Sequence, residues 1–409
     1  MIKEFVTIKS KETSVKIQSS KIDAIRTKDI IKKGVRVYDN GLIGISGAIG
    51  ERSDEELVKE AIDNLKANIP YPYEPTTYNR DHRKFNKYPM KSDELLKISE
   101  SIMKTLKEDY NQFDFSQDIS TSQIEMTIVN DKGLDLSYKD ASLSIGLLLK
   151  EKKSGNIMDG FIVYEGRRFD HNKFWSFQKQ ILEAYSKPVK LPEGDKIPVF
   201  TVGNMPAVGF LTKCLNGEDY STKSSIFADK MDEVLFNERV TVEQCRDPFY
   251  TGQPFFDMEG KTSPHMDECF IHKGKFIRVY TDKKTAADYN LPYTGSASGA
   301  YDGRPSLGGT LLKVETDSKD IKKTLNGQLA VLVMISSGGD FTPDGSYAAP
   351  VQVSFLFDGE KILGKLEEFT MSSHLYDMLG DDYIGTFENT SIYMGDDLQV
   401  QGCYMTVKK

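Results

Sequence analysis

Hydrophobic and polar positions alternate through Val6–Ile17 and Gly34–Ser46, stretches rich in β-branched residues, with "YDNGLIG" the clearest turn. A period of two in such residues predicts half-buried strands. The period then lengthens. In "GERSDEELVKEAIDNLKA", Leu57, Ala61, Ile62 and Leu65 recur at helical spacing, and Ser53 with Glu56 forms an S-x-x-E capping box. The prolines of "IPYPYEP" stop this helix and open a polar loop to about Lys91. A second amphipathic helix starts at Ser92, with Leu95, Ile98, Ile102 and Leu106 on one side. From Thr121 the period of two returns, predicting two or three antiparallel strands that turn at Asp131-Lys132-Gly133. "FIVYEGR" continues that sheet, and Phe174 to Tyr185, with the lone tryptophan Trp175, reads as a helix.

The proline and glycine steps of "SKPVKLPEGDKIPVF" read as a linker. They divide the chain into an N-terminal α+β domain, 1–188, and a C-terminal domain, 189–409. The second domain opens with a helix near Pro206 and is then mainly antiparallel β and barrel-like. "LNGQLAVLVMISSGGDF" is a buried strand ending in glycines, "PVQVSFLFDGEKILGKL" a hairpin turning at Asp358-Gly359, and "SSHLYDMLGDD" a last short helix.

Composition narrows the function. With 409 residues, 39% hydrophobic and 28% charged, the chain reads as a globular protein of two domains. No apolar run approaches the roughly 20 residues of a membrane span. The opening "MIKEFVTIKSKETSVKI" is charged throughout, unlike a secretory signal, so the expected location is the cytoplasm. Cys214, Cys245, Cys269 and Cys403 form no C-x-x-C pair and read as thiols. A net charge of −8 argues against nucleic acid as a partner.

Candidate chemistry is sparse. His82 and His171 each follow an aspartate in a polar segment and read as solvated loop residues, and His374 as a cap or surface residue. None has the H-x-x-x-H or H-E-x-x-H spacing that sets two imidazoles on one helix face. In "SPHMDECFIH", His265, Asp267 and Cys269 would share a strand face. Alternate strand residues lie ~6–7 Å apart, too far for a compact zinc site. Solvent-facing polar residues are the simpler reading. There is no G-x-S-x-G elbow and no phosphate loop ending in G-K-[ST]. The glycine-rich "GSASGAYDGRPSLGG", with Gly295, Gly299 and Arg304, is either a mobile loop or a cover over substrate. Gly338, Gly339, Asp340 and Phe341 end an apolar strand, as a barrel corner or as an edge for strand addition.

Several blocks, in order, resemble the TldD/PmbA family, also called modulators of DNA gyrase. They are "VRVYDNGLIGISGAIGERSDEELVKEAID", "PEGDKIPVFTVGNMPAVGFL", the D-x-E-G stretch "FFDMEGKTSPHMDECFIHKGKFIRVYTDKKTAADYNLPYTGSA", and "SGGDFTPDGSYAAPVQVSFLFDGEKILG". The resemblance implies a family in which TldD and TldE (PmbA) subunits form a protease. In its protease subunit the C-terminal domain's opening helix carries H-E-x-x-x-H. The histidines bind zinc, a cysteine near the C-terminus is a third ligand, and the glutamate is the general base. Across those six positions this chain reads Met205, Pro206, Ala207, Val208, Gly209, Phe210. A thioether is a poor zinc ligand, and proline and phenylalanine offer no donor or base. No cysteine stands in "GTFENTSIYMG", and Cys403 lies farther on.

The resemblance therefore implies the PmbA/TldE branch, with no catalytic residue and no metal or cofactor of its own. Zinc is expected only in a TldD-like partner. Met205, Pro206 and Phe210 become degenerate metal-motif positions, and the two glycine loops are expected to line a chamber or dimer interface. The expected role is that of a subunit handling small unfolded peptides. The alternatives are a homodimeric peptide- or ligand-binding protein, or a hydrolase centred on "SPHMDECFIH".

Overall fold

The structure, a computed structural model, describes residues 1–86, 90–203, 205–262, 267–308, 311–316, 320–388, 391–396 and 398–409. Seven strands of the N-terminal half form one sheet: β1 (Ile2–Gln18), β2 (Lys21–Asp39), β3 (Leu42–Ile49), β4 (Arg80–Lys84), β5 (Phe113–Asn130), β6 (Asp135–Glu151) and β7 (Gly160–Gly166). The order is β3-β2-β1-β5-β6-β4, with β7 also on β6. The β5–β6 turn falls where the sequence places it: Asn130 Oδ1 accepts the N–H groups of Lys132 and Leu134 across it.

Two parts of this sheet escape the sequence pattern. The first half of β2 is charged and largely exposed, so it has no alternation to read. It is a strand because β1 templates it, Glu12 facing Lys28 and Thr13 facing Thr27. The five polar residues of β4 lie inside the expected loop, yet they pair in parallel with β6. His82 is therefore a strand residue, its ring nitrogen 2.7 Å from the Asp135 carboxylate. His171 is no loop residue either. It opens helix α3, where its Nε2 accepts the indole N–H of Trp175 at 3.1 Å.

Three helices cover the sheet. In α1 (Asp54–Asp63) the Ser53 hydroxyl caps the Glu56 N–H, and Leu57 and Ala61 pack on Val35 and Val37. In α2 (Ser92–Asp109), Leu95, Ile102 and Leu106 join Val15, Phe115 and Ile119. The third, α3 (His171–Ala184), has two apolar sides. Phe174, Trp175 and Leu182 belong to the core of the sheet, whereas Phe177, Ile181 and Ala184 belong to that of the C-terminal half.

That half is built on a closed five-stranded barrel: β8 (Lys196–Val202), β9 (Ala330–Ser336), β10 (Ser346–Phe357), β11 (Phe369–His374) and β12 (Val400–Lys408). The circuit runs β9-β8-β12-β11-β10 and back to β9, with β8–β9 its one parallel pair. The architecture is α+β with a mainly antiparallel C-terminal barrel, as the sequence implies. Ile197, Val199, Val331, Val333, Ala349, Met371, Cys403 and Met405, drawn from all five strands, fill one cluster, the inside of the barrel. Among the described residues no helix is long and apolar enough to cross a membrane.

The two halves meet through buried polar groups as well as through α3. Arg36 on β2 is fully buried, ion-paired to Glu4 at 3.2 Å, and donates to the carbonyls of Met258 (2.7 Å) and Gly303 (3.1 Å). Beside it Gly34 leaves room for the backbone of Tyr301. A Cβ there would stand 1.8 Å from the Tyr301 carbonyl oxygen.

Candidate functional site

Helix α4 (Pro206–Cys214) follows β8. Met205 is its N-cap, in extended geometry outside the helix, and Pro206 takes the first turn, where its missing N–H costs nothing. The Met205 N–H donates to Gln401 Oε1 on β12 at 2.8 Å, and its thioether joins the core cluster with Ala207, Val208 and Leu211. Phe210, half-buried, lies face to face on Phe341, with ring centroids 4.4 Å apart and planes 10° apart. Phe341 in turn meets Tyr347 at 4.7 Å. Two sequence-selected positions from distant blocks, Phe210 and Phe341, are thus brought into contact.

The small residues of this segment have different jobs. Ala207 is fully buried, while Gly209 faces solvent with no neighbour near a would-be Cβ. Gly338 and Gly339 lead into the short strand Asp340–Phe341, which pairs with Ala348 and Tyr347 of β10. At Gly339 a Cβ would stand 2.4 Å from the Ala349 Cα, so this approach requires glycine.

The other glycine loop docks elsewhere. The Gly295 carbonyl accepts from Gln244 and Arg246, and the carbonyl at Gly303 from Arg36. Tyr301 lies under the Lys32 ammonium, and Arg304 is exposed beyond it. These contacts fasten the loop to β2, to the Val242–Cys245 strand and to Arg246 after it.

Met205, Pro206 and Phe210 present no imidazole, carboxylate or thiolate, and among the described residues no three His, Cys, Asp or Glu side chains converge. Burial pushes the Cys403 thiol up to about 12 and Cys214 likewise, which disfavours the thiolate a metal needs. Of the "SPHMDECFIH" cluster, His265 lies outside the described residues. Cys269 is half-buried, donates to the Ile271 carbonyl, and is pushed up to about 11, chiefly by burial and then by Glu243.

An open cleft of about 760 Å³ lies between the sheet and the end of the barrel. Its floor is four strands wide. Lys28, Glu12, Ser122 and Ser142 form one cross-strand row, and Ile30, Ser10, Ile124 and Asp140 the next. Val202, Val333, Met334, Leu398 and Tyr250 face that floor from the C-terminal half. Arg167, ion-paired to Asp140, and Asp396, held by the Arg167 N–H and the Tyr164 hydroxyl, stand at one end. The same two residues border a second cleft of about 710 Å³ beside the start of α3. Neither lining includes any sequence-selected residue. The floor escaped sequence reading because its serines and charges look like the outward face of any strand.

Comparison with known proteins fits this geometry. Residues 201–401 match the PmbA/TldA metallopeptidase C-terminal domain. The fold is similar over 99% of this chain to TldE from Thermococcus kodakarensis (96% of that chain, TM-score 0.76, 16% identity). It is also similar over its whole length to a modulator of DNA gyrase from Thermotoga maritima (96% of that chain, TM-score 0.75, 14% identity). The chain belongs to the TldD/PmbA family. An uncharacterized protein of Methanocaldococcus jannaschii is 22% identical over 374 residues, 88% of this chain and 86% of that one. Across Met205–Phe210 this TldD/PmbA member has a buried thioether at one end and an aromatic stack at the other.

Proposed function

We propose that this chain is a PmbA/TldE-like, non-catalytic member of its family that handles extended, unfolded peptides. It would work beside a TldD-like subunit that supplies zinc and the general base. The observation that carries the reading is the state of the six motif positions. Met205 is turned into the core, Pro206 starts the helix, and Phe210 is stacked on Phe341. None of these groups suits zinc or can take a proton from water.

The cleft between sheet and barrel is our choice for the peptide. Its volume suits a short segment, and its floor mixes serine hydroxyls and isoleucines with Lys28, Glu12 and Asp140, so neither sign of charge dominates. Because one chain builds it, a second reading is open: a homodimer that binds peptides without any protease partner.

The test is a peptidase assay on an unstructured peptide with zinc, run on this protein alone and then with an H-E-x-x-x-H homologue. Cleavage only in the mixture is the expected outcome. Binding of the peptide alone, with no cleavage in either reaction, would favour the homodimer. Chelator-sensitive cleavage by this chain alone would overturn both readings.

A further inference from the structure

Two carboxylates of the D-x-E-G stretch, Asp257 and Glu259, are almost completely buried at the seam between the halves of the chain. Glu259 is held from both sides. The Tyr71 hydroxyl, from the segment after α1, donates to Glu259 Oε1 at 2.8 Å. The Lys283 N–H, at the start of the helix Lys283–Tyr289, donates to Oε2 at 3.0 Å. Around this carboxyl the same two segments are tied again. Thr76 Oγ1 donates to the Glu259 carbonyl (2.6 Å), Lys283 Nζ to the Glu74 carbonyl (2.7 Å), and Asn79 Nδ2 to Thr262 Oγ1 (3.1 Å).

We propose that Glu259 is a proton-controlled latch between the two halves: protonated it keeps residues 70–79 fastened to the D-x-E-G turn, and ionised it lets that seam open. The groups around it make ionisation costly. After burial, the negative charge of Asp257 opposes it most, and Asp257 already accepts the N–H groups of Glu259, Lys261 and Ala297. Tyr293 faces both carboxyls, Glu4, Arg36 and Tyr38 lie beyond on β1 and β2, and Arg246 faces Asp257. Lys283 is the closest cation, and its own charge is disfavoured by burial.

Burial first, and Asp257 second, push the Glu259 carboxyl up to about 7, against partial relief from Tyr71 and Lys283. The sign follows from linkage. A carboxyl whose pKa is higher docked than exposed favours docking while protonated. That advantage is complete below its exposed pKa of 4.5 and is lost as pH rises through about 7. The latch therefore loosens between about pH 5 and 8 and changes little above that.

Hydrogen–deuterium exchange of the full-length protein reads this directly, once rates are corrected for intrinsic pH dependence. The segments are 69–79 and 257–262, where the Tyr71 and Asp257 N–H groups bond to the Gly41 and Lys261 carbonyls. Protection there should fall on the order of tenfold or more from pH 5.5 to 8, while β8 and β12 hold theirs. Glu259→Gln should flatten the dependence. Tyr71→Phe removes a donor that favours the carboxylate, so its midpoint should move to higher pH, a shift that a purely structural contact would not produce. Wild-type protection that stays flat, or a midpoint unmoved by Tyr71→Phe, would overturn the latch even if Glu259→Gln failed to fold.

Discussion

Phe210 joins α4 to the barrel through one ring contact. The ring, stacked 4.4 Å from Phe341, gives α4 an apolar contact with the rim of the barrel. Phe210→Ala should cost about 2 kcal/mol, less than a fully buried phenylalanine, because the ring is half-exposed. Phe341→Ala should cost a similar amount. The double variant should show a coupling of about 0.5–1.5 kcal/mol by denaturant titration, since each ring's benefit depends on the other. Strict additivity would mean that the rings merely sit beside one another. The sequence offers Phe210 and Phe341 separately, but not their contact, because no pattern joins α4 to a turn some 130 residues later.

At the scale of elements, most of the fold is legible. The cap at Ser53, the apolar stripes of α1 and α2, and the turns at Asn40–Gly41 and Asp131–Gly133 are each set by local chemistry. What remains hidden is imposed from outside the element. The first half of β2 and all of β4 take strand form from the neighbour that pairs with them. Arg36 is the sharpest instance: it lies among the valines of "GVRVYD", and only the folded sheet shows that Glu4 is its cross-strand partner. With both groups buried, Arg36→Met should destabilise by about 3–5 kcal/mol, because Glu4 is left as an unpaired buried charge. Adding Glu4→Gln should recover a good part of that loss. Thermal melts of the single and double variants check the order.

Across the whole molecule, α3 decides how the two halves behave. Trp175 and Leu182 on one side and Phe177 and Ile181 on the other place the same helix in two cores at once. Disrupting either core exposes part of the other, so thermal unfolding should pass through a single transition, with calorimetric and van't Hoff enthalpies in agreement. Two resolved transitions would mean that α3 belongs to one half only.

The shared helix also limits how such chains can be recombined. A chimera spliced at the linker after Lys187 would carry one parent's Phe177, Ile181 and Ala184 onto the other parent's barrel, against partners such as Phe355 and Phe387 that never packed with them. Grafts between relatives would have to exchange the outward side of α3 together with the barrel, so the heritable module begins inside the helix and not at the prolines that follow it.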